Sequence, residues 1–509
     1  MNKLFRIGIA ASLLLAAACG DDGGTDNPAN NGANNGANNG ANNGANNGAN
    51  NGANNGDNNG ANNGANNGAN NGDNNGANNG ANNGDNNGAE MAMMQGRIED
   101  SGGGGSENHD LEGWVVTAFA VEADGSATAI SSADAMTDAQ GRFEIAIDAS
   151  AAAELDVIVE ATREEAAGAV LVANEQIDAS ATTTLAPINV ETSAEVNVYI
   201  SARADGQWNA DSTVAGLREL VTAEVAAALE AGGEAEADVR AYGEASVSYM
   251  SSWSAMMQSD AIGLTEAQVE ALGQAQLSAR AELDAELYAA TNTEEAEAAV
   301  DGYWSALAEA YADAGVTADE TALAAEAATT TALAYVAEMN VEARAEAQVT
   351  LQLRLAAATT ANVEAQFEQL QEDGNDAVTE AGAQLMADID AAATAGADAQ
   401  ADIEEAWTTY RASVQAEVTA HVEASFDEAG TLAYTQVEAA ILAATAARDA
   451  ALAAIEASEE IAANTSAAVE ASVTFRAEVH SQANVDALTA AGSTEAEASA
   501  LLSLTAAGQ

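Results

Sequence analysis

The chain has 509 residues, of which 80 are Asp or Glu against 14 Lys or Arg, for a formal net charge of −66. A field of that sign repels phosphate backbones and anionic headgroups, which argues against nucleic acid as a partner and against polybasic attachment to a membrane surface. Lys3 is the only lysine and Cys19 the only cysteine, so every later domain is expected to hold by packing without disulfides. Self-repulsion among the acids is relieved by salt, because the Debye length falls from ~10 Å at 0.1 M to ~3 Å at 1 M; the composition reads as halophilic or, equally, as a well-hydrated surface, and the two are not exclusive.

Lys3 and Arg6 open the chain, Ile7 to Leu15 form an apolar run, and Leu15-Ala16-Ala17-Ala18-Cys19-Gly20 closes it on small residues. These are the three parts of a signal peptide. The run is roughly a dozen residues, short of the ~20 that a spanning helix needs. Its close resembles the lipobox of bacterial lipoproteins, with Ala16 where that family more often has Leu or Val. The resemblance implies removal of residues 1–18, lipid on the Cys19 thiol, and a chain anchored in the cell envelope that faces the periplasm or the cell exterior.

From Ala29 to Gly88 the unit Ala-Asn-Asn-Gly runs fifteen times, with Asp replacing Ala at Asp57, Asp73 and Asp85. Such a sequence has too little apolar surface to offset its ordering entropy. Residues 19–92 are therefore expected to be a disordered linker, its repeat spanning ~40–45 Å on average.

Residues 93–203 change character. Strand-like segments stand at 95–98, 113–121, 142–147 and 155–161, with further candidates at 168–173 and 195–201, and Phe143, Ile145 and Ile147 show the two-residue alternation of a half-buried strand. Short strands at this spacing predict a β-sandwich. In Thr137-Asp138-Ala139-Gln140-Gly141-Arg142-Phe143, Asp138 is placed to cap a tight turn, Gly141 to take a positive φ and Phe143 to enter the interior. This segment resembles the Thr-Asp-x-x-Gly-x-Phe turn of carboxypeptidase regulatory-like domains, sandwiches of the transthyretin-like type, although Ser101 to Ser106 lengthen the first turn. The resemblance implies an accessory, non-catalytic domain.

Residues 212–509 are rich in alanine and glutamate, and no proline follows Pro187, which is helix-forming composition. Thr265-Glu266-Ala267-Gln268 and Thr317-Ala318-Asp319-Glu320 fit capping boxes. Stop signals stand at Gly232-Gly233, Gly315, Gly374-Asn375, Gly396 and Gly430. Long antiparallel helices in a bundle or coiled-coil-like array follow, the longest expected over 318–373 and 431–490 at ~80–90 Å. Their seams are thin: Val363, Phe367 and Leu370, Leu452 with Ile455, and Val469 with Val473, with alanine or Glu459, Arg476 and His480 between. Two richer stripes, Tyr249, Met250, Trp253, Met256 and Met257, then Tyr303, Trp304, Leu307 and Tyr311, are expected to meet in the best-packed part. The chain as a whole is thus predicted to be multidomain: disordered Asn/Gly linker, small all-β sandwich, large all-α region.

Chemistry is sparse. His109, His421 and His480 lack a second histidine or cysteine at ligand spacing, and acid pairs such as Glu404-Glu405 and Glu459-Glu460 read as solvated helix faces. The loop from Glu99 to Asp110 gathers oxygen donors around glycines without the spacing of a calcium loop. No catalytic, cofactor or metal residue is predicted, and Cys19 is the one modification site. The expected function is a non-catalytic lipoprotein, bound to the membrane through Cys19 and to a protein partner or itself through the helices. A carrier of hydrophobic ligands is the first alternative. An enzyme with a dispersed carboxylate site in the helical region is the second, its mark being a concave pocket holding a carboxyl of raised pKa.

Overall fold

The computed structural model describes residues 91–99, 111–152, 154–164, 166–231, 235–290, 293–370, 376–455 and 460–509. Cys19, the Asn/Gly repeat, His109 and the glycine-rich part of the 99–110 loop lie outside the described residues, which fall in one compact unit.

A small all-β sandwich comes first. One sheet has the order β5 (Arg142–Asp148), β1 (Met91–Arg97), β8 (Thr182–Thr184). The other runs β3 (Ala127–Ala129), β2 (Val115–Val121), β6 (Val157–Arg163), β7 (Ala166–Val172), with β4 (Ala135–Met136) also on β2. The expected turn is present: Asp138 Oδ1 accepts from the amides of Gln140 and Arg142, both at 2.9 Å, Gly141 has φ +73°, and Phe143 is buried. Phe143 pairs in register with Gly96, where an added Cβ would come within 2.5 Å of the phenyl ring. The larger sheet is covered on both faces. Val157, Val159 and Val170 enter the sandwich core, whereas Ile158 and Leu171 point to a second core shared with the helices.

The candidate strand at 195–201 is corrected to helix: α1 spans Val190–Ala204. Val196, Val198 and Ile200 alternate as in a strand, but Asn189 caps the segment, its Oδ1 accepting from the Thr192 amide at 3.0 Å, and Thr192, Glu195, Tyr199 and Ala202 then line one buried helical face. Asp156 on the sandwich accepts from Tyr199 Oη at 2.8 Å and from Arg203 at 3.4 Å, which fastens α1 to the sheet.

The helical region continues with α2 (Val214–Leu220), α3 (Ala223–Ala231), α4 (Ala235–Met257), α5 (Glu266–Ala289), α6 (Thr293–Ala314), α7 (Ala318–Val336) and α8 (Val341–Leu370). It ends with α9 (Asp376–Ala392), α10 (Ala399–Ser425), α11 (Glu428–Leu452), α12 (Ile461–Val479), α13 (Gln482–Ala490) and α14 (Glu495–Ala507). Both capping boxes form, at Thr265 and Thr317. Both aromatic stripes are buried in one core with α1. The two longest expected helices are corrected to shorter ones; the longest observed is α8, at 30 residues. The first rod breaks where Asn340 donates from its backbone and side chain to Asp238 of α4 and caps α8 by accepting from the amides of Glu342 and Ala343. The second breaks after Leu452 and again at His480 and Ser481. Gly430 is likewise corrected from a stop to a start: its amide donates to Asp427 Oδ1 at 2.8 Å in the first turn of α11.

Candidate functional site

A cavity of about 290 Å³ opens where β1, the turn before α1, and helices α2, α5, α6, α8 and α9 converge. Arg97, at the end of β1, donates from Nη1 to the Ala290 carbonyl and from Nη2 to the Leu287 carbonyl, both at 2.9 Å. Those carbonyls close α5, where a cation is favoured by the helix dipole. Arg97 also pairs with Glu99, which accepts from Asn189 Nδ2 at 3.4 Å. Strand end and helix cap are thereby tied at the rim.

Deeper in, three more arginines reach the walls. Arg218 of α2 pairs with Glu195 of α1 at 3.3 Å. Arg280 of α5 is 2% exposed and donates from Nε to Asp284 Oδ1 at 2.8 Å. Burial works against its charge, and Asp284 with Glu195 outweighs that, so its pKa stands above the ordinary value. Arg354 of α8 is 6% exposed and lies with its guanidinium 5.6 Å from the centre of the Trp304 ring. Its Nε is buried without a partner, and among the described residues no hydrogen bond or ion pair reaches the group.

Two carboxyls on α1, one lining the cavity and one paired with its Arg218, are perturbed. Glu195 is fully buried, its Oε1 has no partner, and burial pushes its carboxyl up to about 7 against the pull of Arg218. Glu191, half-buried on the first turn of α1, is raised by burial with Arg218 again opposing. Glu219 Oε1 accepts from Tyr303 Oη at 2.7 Å and from Gln276 at 3.2 Å, and burial beside Glu219 holds the Tyr303 phenol well above its usual range. Leu283, Leu353, Val349 and Met386 supply apolar wall. Of the raised carboxyls, Glu191 lines the cavity and Glu195 lies behind Arg218; both belong to α1, outside residues 212–509.

The residues singled out in the sequence lie elsewhere. His421 sits on α10 within 3.4 Å of Ser425, and His480 caps α12 beside Ser499 and Ser503; burial lowers both. Glu404 and Glu405 are exposed on α10, and Cys19 is outside the described residues. Among the described residues no group of three or more His, Cys, Asp or Glu is placed to hold a metal ion, and no helix is long and apolar enough to cross a membrane. The four cavity arginines escaped sequence reasoning, yet one signal was there. Leu351, Arg354 and Ala358 share a buried face of α8, and a cation on an apolar stripe is out of place unless something answers it.

No protein-family model, no curated protein and no solved structure matches the chain.

Proposed function

We propose that the chain is a membrane-anchored extracytoplasmic lipoprotein whose folded body holds a small ligand in a non-catalytic role. The observation that carries the ligand is the cavity with Arg354 buried and unanswered on its wall, since an isolated buried charge is costly and an incoming anion removes that cost. The anchoring is supported by the basic, apolar and small-residue succession ending at Cys19, and the Asn/Gly repeat suits a tether that holds the body clear of the membrane. A protein partner or self-association through the exposed acidic helix faces is compatible with both; nucleic acid is not, given the charge. Two measurements test the reading. Wild-type chain from membranes should carry acyl mass and lose it, with its membrane partition, in Cys19→Ser. Native mass spectrometry of the purified full chain should find a small molecule retained; a protein with neither acyl mass nor retained ligand defeats it.

The second reading, an enzyme using a carboxyl, is favoured by two carboxyls of α1 that burial raises: Glu191, which lines the cavity, and Glu195, raised to about 7, where proton transfer operates near neutrality. Recovery of the retained molecule chemically unchanged after prolonged incubation decides for the binding protein, and conversion abolished by Glu195→Gln decides for the enzyme.

A further inference from the structure

We propose that the cavity takes the carboxylate of a small organic monoanion with an apolar body, gripped by Arg354; this assignment rests on the ligand-holding reading above. The guanidinium is a planar fork built for two parallel hydrogen bonds to a carboxylate. The guanidinium carbon of Arg354 lies over the Trp304 ring, 5.6 Å from the centre, a contact that leaves its N–H donors unused. Arg97, Arg218 and Arg280 are all engaged with protein oxygens, so among the cavity's cations Arg354 is the one with nothing to hold among the described residues.

The walls choose among anions. Glu99, Glu191, Glu219 and Glu224 also line the cavity and three of its four arginines are committed to protein oxygens, so the single charge of Arg354 matches one carboxylate and leaves the second charge of a dianion such as phosphate uncompensated. Glu191 has no hydrogen bond among the described residues and offers an acceptor to a donor elsewhere on the ligand. The body of the ligand meets Leu283, Leu353, Val349 and Met386, surface that rewards an alkyl or aryl group and gives nothing to a sugar or an inorganic ion. At ~30 Å³ for a water-sized group, the 290 Å³ cavity accommodates on the order of ten non-hydrogen atoms.

The test titrates the full chain with four probes by calorimetry: 3-phenylpropionate, 3-phenylpropylamine, 3-phenylpropanol and inorganic phosphate. The acid should bind at least tenfold more tightly than the amine, the alcohol or phosphate, and Arg354→Met should weaken the acid by about 10- to 100-fold, the range for a charge-assisted hydrogen bond. The empty Arg354→Met protein should melt at or above the wild-type temperature, because the replacement removes an unpaired buried charge and keeps the stem's packing. A large fall in melting temperature would assign Arg354 a structural partner and overturn the proposal. Amine or alcohol binding as tightly as the acid, with Arg354→Met indifferent, would leave a ligand-holding protein and remove the carboxylate. Failure of all four probes to bind the wild type would remove the carboxylate assignment while the native mass spectrum still decides the ligand-holding reading.

Discussion

Phe143 and Gly96 form a matched pair across β5 and β1: the ring occupies the space a side chain at 96 would need. Phe143→Ala should therefore cost about 3–5 kcal/mol in denaturant unfolding of the full chain, the range for emptying a buried aromatic site. Gly96→Ala should destabilise by overpacking, and Phe143→Leu should relieve that loss in the double variant. At Glu195 the argument runs through protons. Burial raises its carboxyl from 4.5 to about 7 in the folded protein, so the folded state holds the proton more tightly than the unfolded state does. The corresponding stability is complete below pH ~4.5 and is lost as pH rises through ~7. Glu195→Gln should flatten the stability-against-pH curve in that window, removing a slope that amounts to roughly 3 kcal/mol from end to end. An unchanged slope would place the titration on another group.

At the scale of the element, sequence punctuation was readable where one residue sets the geometry by itself. Asp138 and Gly141 form the turn they spell out, and Thr265 and Thr317 start α5 and α7 as their capping boxes require. It was unreadable where a distant residue intervenes. Nothing local distinguishes Asn340 from other asparagines; its bond to Asp238, on another helix, is what divides α7 from α8. The segment at α1 carries two patterns at once, and the cap decided between them. Asn189→Ala should accordingly cost about 1 kcal/mol, within the ~0.5–2 kcal/mol of N-cap losses, while Asn189→Asp or Asn189→Ser should recover most of it. An equal loss in all three variants would trace the effect to the bond with Glu99 instead.

Away from the cavity, arginines join helix to helix: Arg476 of α12 reaches Asp319 and Glu320 of α7, and Arg448 of α11 reaches Glu326 of α7. With 80 acids against 14 basic residues, most carboxylates have no cation to face. The melting temperature should rise steeply from low salt to about 1 M sodium chloride, most at low ionic strength, and a flat profile would mean that the acids are already compensated. The same scarcity explains why the cavity was invisible beforehand. Its arginines come from β1, α2, α5 and α8, and only the folded arrangement brings rare cations together.

Helix α1 has a further effect, which belongs to kinetics. Its buried residues join Ile158 and Leu171 of the β-sheet to Trp253 and Tyr335 of the helices in one continuous core, so neither half can open without exposing the other. Amide protons on β6 and on α4 should then exchange with deuterium at a common limiting rate, through a single global opening. Limited proteolysis between Arg203 and Val214 should release no protected β fragment. Separate limiting rates for sheet and helix would show that α1 peels away from the sheet before the fold is lost.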